Sequence, residues 1–173
     1  GVTKLTDLPA WKQDKARSDR YLRQLKRICG EFLIGEASPE EDAVRNTDLI
    51  VLRLDAVRVA CRVRAHHYLR QYGNEFTIRS ERPHGTKTEL AKIIEGWGDY
   101  ILYGFGNEEE TDLAAWVLGD LRVFRLWFQS ECVKLPAGQL PGVPQQNVDG
   151  SSNFRAFRID SLPPSFVVAR RRP

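Results

Sequence analysis

Cysteine is scarce in this chain and odd in number. Cys29, Cys61 and Cys132 lie far apart, and no two have the spacing of a zinc site. That excludes a disulfide framework. Two of the three sit among apolar neighbours and read as small buried thiols in a reducing, cytoplasmic compartment. Methionine is absent altogether, the initiator included, so Gly1 reads as a residue left by cloning. No apolar run reaches membrane length and no signal-peptide pattern opens the chain, so no membrane span is expected. The net charge of +3 is too small for bulk electrostatics to argue for nucleic acid. A Walker-type loop, a Gly-rich dinucleotide turn, His-Glu-x-x-His and Gly-x-Ser-x-Gly are all missing. Gly104-Phe105-Gly106 is too short and follows the wrong element. Nothing local supports pairing a cysteine nucleophile with His66, His67 or His84.

What remains is ordinary globular material. A chain of 173 residues, 42% hydrophobic and 28% charged, reads as one domain able to bury a real core. The core is expected over about residues 17–134, with a loop over about 135–153 and a final strand and tail over 154–173. Basic residues crowd the first helix, the central strands and the Arg170-Arg171-Arg172 tail, while acids crowd Glu40-Glu41-Asp42 and Glu108-Glu109-Glu110.

Periodicity places the elements. Tyr21, Leu22, Leu25, Ile28, Cys29, Phe32 and Leu33 recur at helical spacing after a cap at Ser18 or Asp19. An acidic connection follows, then a strand over about 48–54. Asp55-Ala56 turns into a second strand, 57–64, where Val57, Val59, Cys61 and Val63 alternate with Arg58, Ala60, Arg62 and Arg64. A Tyr-rich loop leads to a third strand at 75–80. Thr86 or Thr88 starts a helix that puts Leu90, Ile93 and Ile94 inward and stops at Gly96. Strands at 99–105 and 115–118, a helix from Leu121 to about Lys134, a Pro-, Gly- and Gln-rich loop and a strand at 154–159 complete the order. Helix, three-strand meander, helix and further strands predict an α/β (α+β) fold: a central mixed sheet with helices on its faces.

Three features carry a resemblance: Asp48 opening the first strand, Arg62-Val63-Arg64 closing the second, and the α-β-β-β-α-β order over residues 17–105. Together they resemble the restriction-endonuclease-like, or PD-(D/E)xK, superfamily of nucleases. The wording around Glu75–Arg79, Thr88-Glu89-Leu90 and Gly96-Trp97-Gly98-Asp99-Tyr100 also looks like uncharacterised phage- or prophage-type proteins. The resemblance implies a metal-dependent nuclease, with Mg²⁺ held by Asp48 and a second carboxylate. Arg62-Val63-Arg64 stands where the family has acid-x-lysine. Arg62 cannot hold a cation, so the second acid is expected on the following helix, at Glu89 and then Glu95, with Glu31 as a helical alternative. Arg64 keeps the lysine's charge and can stabilise a phosphorane-like transition state, although it cannot serve as a base.

Each of these residues also has a plainer reading. Asp48 can pair with Arg62 or Arg79. Glu89 can complement a helix dipole. The Arg58, Arg62 and Arg64 stripe can be a solvated sheet face or, with Arg79, a surface that tracks phosphates. His66-His67 reads as plain surface, Glu108–Glu110 as a solvated loop, and Trp97, Tyr100, Tyr103, Trp116 and Trp127 as core. Three functions stay open: a phage-type endonuclease, an inactive nuclease-fold protein that binds nucleic acid or a protein partner, and a host-interaction or inhibitor protein. Proteins of this kind often form homodimers.

Overall fold

The computed structural model of the chain describes residues 10–36, 52–81, 88–146 and 153–173. The expected first strand from Asp48 to Val51, the 39–47 connection, the Pro83–Thr86 turn and Lys87 lie outside the described residues. So do His84 and Asp48 itself.

Among the described residues the chain folds as a mixed α+β structure with three sheets and helices packed against them. Two helices open it, α1 (Ala10–Arg20) and α2 (Leu22–Leu33). Tyr21, Leu25 and Ile28 recur every three to four residues and are buried, as the spacing predicts. The helix starts at Leu22 with Tyr21 as its N-cap, after the expected cap, and a separate helix, α1, precedes it. Ser18 does not cap it; its Oγ accepts from the Val63 amide at 3.1 Å and ties α1 to the sheet.

Short strands β1 (Gly35–Glu36) and β2 (Leu52–Arg53) pair antiparallel. β3 (Val59–Arg64) then leads through a helical turn at His66–Tyr68 into α3 (Leu69–Tyr72), where the sequence predicts a loop. β4 (Glu75–Glu81), α4 (Glu89–Ile94), β5 (Tyr100–Gly106), β6 (Leu113–Asp120) and α5 (Leu121–Lys134) follow close to their expected bounds. β7 (Val143–Gln146), β8 (Asn153–Arg158) and β9 (Val167–Arg171) complete the chain.

Strand pairing differs from a meander. β3 does not pair with β4; it lies parallel to β5, in a sheet of order β3-β5-β6-β9. β4 belongs to a separate antiparallel sheet of order β4-β8-β7. The four-stranded sheet is covered on both faces. Ile101, Tyr103, Phe105, Ala115 and Val117 join α4, α5 and the second sheet in one core. Leu102, Leu113, Leu118 and Val63 join Tyr21, Leu25 and Ile28 in another. Burial on both faces is why β5 reads as an almost unbroken apolar run. Each such buried side chain contributes about 1.5–3 kcal/mol. At Gly106 a Cβ would strike the Tyr21 ring, so only glycine lets the helix approach there.

The turns around α4 position the site. Thr88 Oγ1 accepts from the Ala91 amide at 3.3 Å, which makes it the N-cap. Gly96 ends the helix at φ +105°. Arg125 of α5 donates to the Ile93 and Gly98 carbonyls at 2.8 and 3.3 Å, satisfying the helix's last turn from outside. Thr88→Ala is expected to lower stability by about 1 kcal/mol in urea unfolding, while Thr88→Ser recovers most of it.

Other expectations change on inspection. Cys61 is exposed, and Cys29 and Cys132 are half-buried rather than interior. Trp97 is exposed, Tyr103 is buried, and Tyr100, Trp116 and Trp127 are half-buried. Glu110 is not simply solvated, since it pairs with Arg17 at 3.1 Å and Arg20 at 2.8 Å. The basic tail is sheet. Arg170 sits in β9, where it donates to Gly73 O and Asn74 Oδ1, and burial lowers its pKa. The 135–153 loop contains edge strand β7. Pro144 is tolerated there because an edge strand can spare an amide.

Candidate anion-binding cavity

Alternation on β3 decides which way its arginines face. Val59 and Val63 turn toward the α2 core. Arg62 and Arg64 therefore leave the opposite face, toward the second sheet. This is not a solvated face. Arg62 Nη1 donates to Thr77 Oγ1 of β4 at 3.2 Å, and Thr77 Oγ1 meets Tyr103 Oη of β5 at 3.1 Å.

On β4 the same alternation buries Phe76 and Ile78 and puts Thr77 and Arg79 together on the other face. Register then places Arg79 directly across from Phe154 of β8. Both guanidinium groups lie against that ring, with Arg62 Cζ 5.1 Å and Arg79 Cζ 5.4 Å from its centroid. These are cation–π distances. Arg79 Nε is buried and has no hydrogen-bond partner among the described residues.

The two arginines help line a cavity of about 520 Å³ between the sheets. Thr77, Tyr103 and Phe154 share its wall, and Glu89 and Trp97 come to it from α4 and the turn after it. Two cations on one ring make this wall strongly positive and partly shielded from water. Such a place favours an anion that can accept from a planar donor fork.

Of the residues picked out by the sequence, the cavity gathers Arg62, Arg79 and Glu89. Arg64 is not among its lining residues. Its Cζ lies 4.1 Å from the Tyr68 ring and 5.7 Å from that of Tyr72, so the helical turn after β3 holds it. Arg58 is exposed where the chain enters β3, and its amide donates to Asp99 Oδ2 at 2.9 Å. It sits beside Gly96, Gly98 and Asp99 in a neighbouring depression. Glu95 is exposed beyond α4, and Glu31 is exposed on α2. His66 Nδ1 is 3.8 Å from Glu108 Oε1.

Thr77, Tyr103 and Phe154 were missed from sequence. Period two on β4 does link Thr77 to Arg79. Phe154 needed the register of two strands far apart in the chain. Among the described residues, no group of three or more His, Cys, Asp or Glu side chains is placed to hold a metal. No helix among them is long and apolar enough to cross a membrane. No family model, no curated protein and no solved structure matches the chain.

Proposed function

We propose that this chain is a cytoplasmic nucleic-acid-binding protein that holds a backbone phosphate between Arg62 and Arg79. The observation that carries this reading is the pair of guanidinium groups on the Phe154 ring at the cavity wall. Thr77 and Tyr103 supply hydroxyls beside them, and the exposed Trp97 indole offers a stacking surface for a base. Arg58, exposed nearby, extends the positive surface.

The experiment is anisotropy of labelled single-stranded and duplex oligonucleotides, titrated with chelator present and repeated across salt concentrations. Affinity is expected to fall with salt at a log–log slope of about −0.7 per phosphate on a single strand. Undetectable binding, or binding indifferent to salt, would overturn the reading.

A second reading, a phage-type endonuclease using Mg²⁺, has one observation in its favour. Glu89 reaches the cavity that holds Arg62 and Arg79. On this reading Asp48 and Glu89 supply carboxylate oxygens of the kind Mg²⁺ takes. Arg79, which lines the cavity where Arg64 does not, then stabilises developing charge. The element order through β5 is α1-α2-β1-β2-β3-α3-β4-α4-β5, and the β3–β5 pairing departs from the meander expected of restriction-endonuclease-like proteins. Calorimetry with Mn²⁺ separates the two readings. Heat of binding lost in both Asp48→Ala and Glu89→Ala supports cleavage chemistry; a silent wild-type titration leaves phosphate binding alone.

A further inference from the structure

We infer that Cys29 and Cys61 are a dithiol pair that closes into a reversible disulfide, with a low-molecular-weight disulfide of the glutathione type as oxidant. The inference does not rest on what the cavity binds, although Cys61 is among the residues that line it. Strand alternation puts Cys61 on the same face of β3 as Val59 and Val63. Val63 is buried against Leu25 and Ile28 of α2, and Val59 packs beside it. Cys29 follows Ile28, one turn after Leu25, and packs against the same cluster. Helix and strand thus bring the two cysteines to the same side of β3, although 32 positions separate them in sequence.

Both are free thiols, and the Cys61 side is exposed. An oxidant can reach the pair. Their proximity also prepares the chemistry. The interaction with Cys61 lowers the Cys29 pKa to about 7 against the opposing effect of burial, and the same interaction raises Cys61. A thiolate poised near neutral pH is close to the optimum for disulfide exchange.

The step balances as follows. The Cys29 thiolate attacks one sulfur of the oxidised tripeptide, forming a mixed disulfide and expelling one thiolate, which takes up a proton. Cys61 then gives up its proton and attacks Cys29 Sγ, expelling the second thiol. Two protein thiols are oxidised, one small disulfide is reduced to two thiols, and α2 becomes linked to β3.

The test is peptide mapping without reductant after the full chain is equilibrated in glutathione buffers of rising oxidation. The expected result is one cross-link joining the Cys29 and Cys61 peptides, undone by dithiothreitol, with Cys132 still alkylatable. Cys61→Ser is expected to trap one glutathionyl group on Cys29. Wild-type protein that keeps both thiols, or carries only glutathione adducts on them, overturns the inference. That measurement needs no variant to fold. A Cys61→Ser protein left unmodified at Cys29 would overturn the assigned order of attack.

Discussion

Phe76→Ala is expected to lower stability by about 3–5 kcal/mol, the largest loss from any single truncation considered in this chain. Phe76 is fully buried on β4 and faces four other rings. Phe166 stacks on it at 5.4 Å, and Phe157 of β8 does so at 5.6 Å. Phe124 of α5 and Tyr103 of β5 present edges at 5.8 and 6.3 Å. These partners come from both larger sheets, the long helix and the turn before β9. Removing the ring opens a cavity where those layers meet, and none of the neighbours can collapse into it without leaving its own contacts. A domain is stable by only about 5–15 kcal/mol, so roughly a fifth or more of the total is at stake. Urea or thermal unfolding checks this, with a fall in midpoint of roughly 10 °C. Leu126→Ala is the control. Leu126 lies on α5 with 70% of its surface exposed, and its truncation is expected to change stability by less than about 0.5 kcal/mol. If Phe76→Ala cost no more than that control, the two sheets would not share this core.

Phe76 also shows how far the sequence could be read. The sequence places Phe76 in a strand at 75–80, as found, and a cap and a glycine mark α4. These signals are local: a Thr side chain reaches an amide three residues on, and a positive-φ glycine stops a helix. Pairing is not local. Period two says which face of β3 bears arginine but not that its neighbour is β5, some forty residues on. The meander expectation fails for that reason, since β4 satisfies its edge with β8 from the far end of the chain. β9 was hidden because Pro163 and Pro164 precede it and arginines end it. Arg170 is nevertheless accepted in the sheet because its head reaches Gly73 and Asn74. The site divides along the same line. Arg62, Arg79 and Glu89 were visible as charges on strands and a helix start. Their convergence on Phe154 depends on a register that composition does not encode.

That convergence predicts the largest functional effect. In the oligonucleotide assay, Arg62→Ala and Arg79→Ala are each expected to weaken binding about 10- to 100-fold, since a charge-assisted hydrogen bond contributes about 1.5–3 kcal/mol. The log–log salt slope should become shallower by about one phosphate contact in all, since both arginines hold the same phosphate. The double variant should lose less than the product of the two. Both groups face one ring and hold one anion, so the first loss already spoils the site for the second. Lysine replacements separate charge from shape. Lys keeps the cation but has no planar fork and cannot lie flat on Phe154, so Arg79→Lys is expected to recover the salt slope and only part of the affinity. Folding should be largely spared. Thr77 and Tyr103 still bond each other when Arg62 is truncated, and Arg79→Ala is expected to change stability by about 1 kcal/mol or less. Arg64→Ala is the discriminating comparison, because stacking on Tyr68 keeps that guanidinium out of the cavity lining. It should leave affinity within about twofold of wild type, a small effect by the same arithmetic. If Arg64→Ala weakened binding as much as Arg62→Ala, the phosphate would lie along the outer edge of β3 and not between the sheets. If the Arg62→Ala/Arg79→Ala pair bound as wild type does, the two cations would be structural partners of Phe154 and nothing more.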